Sequence, residues 1–143
     1  MKAVATLLLF IQLKMKKISL YLMIVLYVAA GTNHFLNEDV YLKIMPPWVP
    51  FHHAMVIVSG ILEILFALLL IFPATRKKGA WLLIALLIAV FPANIQMSIN
   101  YYNEHNPGFW LTLLRLPIQI PLIWWAYVFT KPSGKTLLRS RYK

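Results

Sequence analysis

The residues of this chain that can do chemistry are few, and several stand inside apolar runs. Glu63 is preceded by Ser59-Gly60-Ile61-Leu62 and followed by Ile64-Leu65-Phe66-Ala67. Arg115 stands in Leu113-Leu114-Arg115-Leu116-Pro117, with Thr112 one helical turn before it and Gln119 one turn after. Asn94 and Ser98 follow Pro92 at helical spacing, and the histidines are His34, His52, His53 and His105. An ionised group within an apolar segment is costly, so each marks a partner or a site. A carboxylate and a guanidinium can neutralise one another. Arg, Asn and Gln can donate hydrogen bonds to a ligand carbonyl, and imidazole can relay protons or ligate a metal or haem. Cysteine is absent, which excludes dithiol exchange, thiolate metal sites and cysteine-held iron–sulfur clusters.

The elements that must position these groups follow from composition. The chain has 143 residues, 61% hydrophobic and 13% charged; soluble domains average roughly 45–50% apolar and about 25% charged. A soluble fold of this size cannot bury that much apolar surface. An ordinary soluble enzyme, a disordered tail and a disulfide-stapled secreted module are therefore excluded. The expected fold class is all-α, an integral membrane four-helix bundle, with spans at residues 18–36, 51–73, 79–100 and 109–130. Residues 1–17 form a basic and apolar extension, residues 18–130 the membrane domain and residues 131–143 a basic tail. The connection from Asn37 to Pro50 carries Pro46, Pro47 and Pro50 and is expected to be an extended turn. Ala3 to Leu13 is apolar but too short to span. It reads either as a short interfacial helix or as sequence upstream of a natural start at Met15-Lys16-Lys17.

Basic residues set the orientation. Twelve of the 14 Lys and Arg residues precede the first span, lie between the second and third, or follow the fourth. Lys43 is the one cation in the opposite loops, and Arg115 lies within the fourth span. Both termini are thus expected on the cytoplasmic side of the cell's inner membrane, in a multi-pass protein. The net charge of +10 reads as topology and contact with anionic lipid headgroups of the bilayer. It does not read as nucleic-acid binding, because the cations are not interleaved with aromatics on one face. Trp48, Phe51, Trp81, Tyr101, Tyr102, Trp110, Trp124 and Trp125 cluster near span ends, as interfacial belts do.

Glu63 lies roughly 18 Å deep and Arg115 roughly 9 Å deep, counted at 1.5 Å per residue. Snorkelling side chains can close that gap, so a Glu63–Arg115 ion pair is expected. Pro92 frees the carbonyl of Ile88 beside the Asn94 amide. Two readings follow. In one, the charges form a structural pair that sets helix register. In the other, His34, His53, Glu63, Asn94, Arg115 and Gln119 line a ligand pocket in the outer half of the bundle. The histidines read either as interfacial residues or as an outer-face metal, haem or quinone site. Their spacing matches no defined metal motif, so no metal site is assigned, and neither is a catalytic residue. Neighbouring His52 and His53 point about 100° apart on a helix, so at most one faces the bundle.

A set of short segments runs along the chain in order: Gly31-Thr32-Asn33-His34-Phe35, Tyr41-Leu42-Lys43-Ile44-Met45-Pro46-Pro47, Ser59-Gly60-Ile61-Leu62-Glu63-Ile64, Pro73-Ala74-Thr75-Arg76, Val90-Phe91-Pro92-Ala93-Asn94-Ile95, Arg115-Leu116-Pro117-Ile118-Gln119 and Trp124-Trp125-Ala126-Tyr127. Together they resemble the DoxX family of small four-helix membrane proteins, across residues 18–130. The resemblance implies a membrane subunit tied to quinone-linked oxidoreduction or redox stress. It further implies a membrane or soluble oxidoreductase partner, and quinone ahead of haem as cofactor. His34, Glu63, Pro92, Asn94, Arg115 and Gln119 are the matching positions, and no mechanism carries over with them. The competing class is non-catalytic: a membrane scaffold or assembly partner, or a binder of a lipid-like small molecule.

Overall fold

Backbone removed from water must satisfy its own hydrogen bonds, which leaves helices as the local solution for long apolar runs. The structure, a computed structural model, describes residues 2–131. It is all-α, and no strand occurs among the described residues. The helices are α1 (Lys2–Leu36), α2 (Glu38–Ile44), α3 (His52–Leu69), α4 (Arg76–Asn103) and α5 (Phe109–Val128). Three of them, α3, α4 and α5, are long and apolar enough to cross a membrane. The basic tail expected at 131–143 lies, apart from Lys131, outside the described residues.

Helix boundaries depart from the expected ones in two places. Residues 2–17 are not a separate short helix but the first half of α1, which runs unbroken for 35 residues, about 52 Å at 1.5 Å per residue. Lys14, Lys16 and Lys17 do not end it, because Lys is a good helix former and the segment holds no Gly or Pro before Gly31. The connection after α1 is not extended throughout: Glu38–Ile44 is helical. Its acids Glu38 and Asp39 lie in the first turn and Lys43 in the last, which suits the helix dipole at both ends. All three prolines lie beyond it.

The turn between α3 and α4 is tied by side chains. Thr75 Oγ1 donates to the Leu69 carbonyl at 2.8 Å, and Arg76 Nε and Nη2 donate to the carbonyls of Leu70 and Ile71 at 2.9 and 3.1 Å. These are end-of-helix carbonyls that lack intrahelical donors. Gly79 lets α4 close onto α3 here, since a Cβ would lie 2.8 Å from Leu69 Cβ.

In the packing, α3 lies against α1 and α4, α4 against α5, and α2 bridges α1, α3 and α4. Trp125 Nε1 donates to Ser19 Oγ at 2.7 Å and ties α5 back to α1. The buried core gathers Leu20, Met23, Ile24 and Tyr27 of α1 with Ala67, Leu83, Ile84 and Ala126. Outward, Leu22, Val25, Ile88, Leu111 and Ile120 stand 58–71% exposed. Apolar residues thus cover the outside as well as the inside, a surface suited to an apolar solvent.

Candidate functional site

The buried polar groups divide between two seams. The first lies between α1 and α3 and is opened by glycine. Gly31 and Gly60 face one another, and a Cβ on Gly31 would lie 2.7 Å from the Gly60 carbonyl oxygen. Close approach of the backbones brings their neighbours together. His34 stands three residues past Gly31 and Glu63 three past Gly60, each on its helix's inward face. His34 Nε2 lies 3.5 Å from Glu63 Oε2, with both side chains largely buried.

The opposite ring nitrogen is held by α3. His34 Nδ1 is 3.2 Å from the Val56 carbonyl oxygen and 3.1 Å from Ser59 Oγ. Ser59 Oγ itself donates to the Val56 carbonyl at 2.8 Å. The Val56 carbonyl accepts and the Ser59 hydroxyl can donate or accept, so between them they orient the imidazole. Nε2, the other ring nitrogen, is the one that faces the Glu63 carboxyl.

Its surroundings come from α1 and α2. The Tyr41 ring of α2 stacks on His34, with centroids 3.9 Å apart and planes at 24°. Asn33 Nδ2 donates to the Tyr41 hydroxyl at 2.8 Å, and Asn37 Nδ2 to Asn33 Oδ1 at 2.6 Å. Two turns back along α1 from His34 is Tyr27, whose hydroxyl is buried without a hydrogen-bond partner. A buried donor with no acceptor costs about 1–3 kcal/mol. Sequence reasoning singled out Glu63 and His34 but missed Tyr27, Tyr41 and Asn33. The spacing Tyr27, Gly31, His34, which is i, i+4, i+7 on one face, was the signal available.

The second seam lies between α4 and α5. Asn94 Nδ2 donates to Gln119 Oε1 at 3.1 Å, and Gln119 Nε2 donates to the Leu87 carbonyl. Pro92 disrupts the helix ladder over the preceding turn, and the carbonyl that gains the side-chain donor is Leu87, not Ile88. Ser98 Oγ donates to the Asn94 carbonyl at 3.2 Å. Gln119 is buried and both ends of its amide are engaged.

The six candidates therefore do not line one pocket. Glu63 is paired with His34 and not with Arg115. Their helices, α3 and α5, are not packing neighbours, whereas His34 lies on the helix directly against α3. Arg115 is exposed and directs Nη1 to the Met97 sulfur at 3.5 Å. His53 faces outward as well, with its side chain 76% exposed and Nδ1 2.9 Å from Glu38 Oε1. His52 Nε2 lies 3.2 Å from the Pro46 carbonyl oxygen. His34, His52 and His53 are thus engaged separately. Among the described residues, no three His, Asp or Glu side chains are grouped to hold a metal.

With this geometry in place, comparison with known proteins adds one finding. The family described as "Domain of unknown function (DUF8561)" matches residues 23–130, a stretch that contains both polar seams and begins midway along α1. No curated protein and no solved structure matches the chain.

Proposed function

The chain belongs to the DUF8561 family, a domain of unknown function, and from its geometry we propose that it is the membrane subunit of a quinone-linked oxidoreductase system. In this reading α1, α3, α4 and α5 form a four-helix bundle crossing the cytoplasmic membrane, with both termini on the cytoplasmic side. The apolar outer surface and the one-sided distribution of Lys and Arg support that placement. The resemblance to DoxX proteins supports the same class of function.

One observation carries the proposal: His34 Nε2 stands 3.5 Å from Glu63 Oε2, on a helix face that also holds the unpartnered Tyr27 hydroxyl. A ligand with an accepting carbonyl fits that donor set. The Asn94–Gln119 amides do not offer a comparable donor, because they already satisfy each other and Leu87. A quinone, when bound, supplies reversible two-electron, two-proton chemistry. Tyr27 would hold one carbonyl by its hydroxyl, and His34 would be the proton-bearing group nearest the bundle's end. Glu63 would hold the proton exchanged through His34, and Ser59 with Val56 would fix the imidazole's orientation. With no cysteine in the chain, electrons would come from a partner oxidoreductase.

The test is solvent extraction of protein purified in mild detergent, followed by mass spectrometry. Near-stoichiometric quinone is expected, reduced at least severalfold in Tyr27→Phe and His34→Leu variants that keep their fold. A quinone-free extract, or full retention in both variants, overturns the assignment. A second reading, a non-catalytic scaffold or lipid-like ligand binder, draws on the self-satisfied α4–α5 seam. It predicts bulk phospholipid alone in the extract and recovery of a membrane partner.

A further inference from the structure

A separate feature lies at the turn joining α4 and α5. Tyr101, Tyr102, His105, Asn106, Phe109 and Trp110 line a cleft there. Tyr102 and Phe109 have ring centroids 5.4 Å apart at 57°, and Phe109 and Trp110 5.3 Å apart at 58°. Tilted in this way, the rings present several faces to one space instead of stacking into a closed pile.

The turn that shapes this cleft is held by its own hydrogen bonds. Asn106 N–H donates to the Tyr101 carbonyl at 2.9 Å, His105 N–H to Tyr102 at 3.2 Å and Phe109 N–H to Asn106 at 3.0 Å. Gly108 N–H donates to Asn106 Oδ1 at 2.8 Å. His105 takes a left-handed φ of 50°. A Cβ at Gly108 would stand 3.1 Å from Asn106 Oδ1 and 3.2 Å from the Tyr101 ring, so glycine lets the turn press against the cleft wall. The aromatics are therefore set in place by backbone and not merely scattered at a helix end.

Charge selects what such a cleft attracts. No Lys or Arg lines it. Glu104 is in the same turn, and Glu38, engaged by His53, and Asp39 belong to α2 at the same end of the molecule, against Lys43 and the exposed Arg115 of α5. The Asn100 amide, which donates to the Lys43 carbonyl at 2.8 Å, fixes α2 beside this end of α4. Three carboxylates against two cations leave this end slightly acidic in a chain that is otherwise strongly basic, and ring faces favour a cation that is weakly hydrated. His105 is the one imidazole in the lining, and among the described residues no three His, Asp or Glu side chains are grouped to hold a metal ion.

We propose that the α4–α5 cleft binds an organic ammonium group, held on the faces of Tyr102, Phe109 and Trp110 and favoured by the acidic end of the molecule. The chemistry is shared by a lipid headgroup and by a soluble ammonium solute, and the experiment separates them.

Full-length protein is placed in nanodiscs of phosphatidylglycerol, which carries no ammonium group, and titrated with tetramethylammonium by saturation-transfer NMR. Saturable binding is expected, weakened about fivefold or more in the Tyr102→Ala/Trp110→Ala double variant. Trp110→Phe, which keeps an aromatic face, retains most of it. If phosphatidylcholine or phosphatidylethanolamine added to the discs displaces the probe, the occupant is a lipid headgroup. If the probe's affinity is undiminished, it is a soluble ammonium. Absence of saturable binding, equal binding by the folded double variant, or equal competition by potassium overturns the proposal.

Discussion

Gly31 and Gly60 meet back to back, so that a Cβ on Gly60 would lie 2.9 Å from the Gly31 carbonyl oxygen and 2.8 Å from His34 Cβ. The contact is with backbone, which cannot swing aside as a side chain end can. This approach sets the spacing at which His34 meets Glu63. Gly60→Ala is therefore expected to part α1 from α3 and to lower stability by about 1–3 kcal/mol. Thermal unfolding in detergent checks it, and an unchanged melting temperature would show that the seam has slack.

The His34–Glu63 pair is expected to be energetically coupled. His34→Leu and Glu63→Leu each strand a polar partner in a largely buried place, costing about 1–3 kcal/mol apiece. The double variant should lose less than the two singles together, by about 1 kcal/mol or more. A double-mutant cycle measured by unfolding reads this directly. Strictly additive losses would mean that the two groups do not interact.

Gln119 and Arg115 should respond differently to truncation, although they lie one turn apart on α5. Gln119→Leu leaves both the Asn94 amide and the Leu87 carbonyl without their partner and is expected to cost about 2 kcal/mol. Replacing Asn94 as well should return part of that loss. Arg115→Ala removes an exposed side chain whose named contact is the Met97 sulfur, and its effect should stay within about 0.5 kcal/mol. Equal losses at the two positions would place Arg115 in a buried network after all.

Topology is open to a direct reading because the chain has no cysteine. Single Glu104→Cys and Lys78→Cys variants carry the two ends of α4. A membrane-impermeant maleimide added to intact cells whose outer membrane has been opened should label Glu104→Cys. It should label Lys78→Cys only once the inner membrane is breached. The reverse pattern would invert the proposed orientation.

Much of the candidate site was legible before any fold was known, for a definable reason. Asn94, Gln119, His34 and Glu63 are polar groups in apolar surroundings, and their cost announces itself in one dimension. Arg115 and His53 announced themselves by the same rule, yet both turn outward. Exposure depends on how a helix is rotated against its neighbours, and a helix that is apolar all round carries little periodicity to declare its inner face. Tyr27 was passed over for the converse reason. An aromatic in an apolar run is ordinary, and only burial of its hydroxyl without an acceptor makes it notable.

The amino-acid sequence by itself determined the helical class, the positions of the apolar runs and the segregation of cations to one end, because hydropathy, helix propensity and charge are properties of local stretches. It also dictated that Glu63 could not remain alone. What only the tertiary structure decided was the partner. Depth counted along the spans pointed to Arg115, and the choice turned on which helix lies against α3. Two glycines made that helix α1, since backbones without side chains pack closest. Carboxylate and imidazole were brought together by that contact, and the guanidinium was left on the far side of the packing.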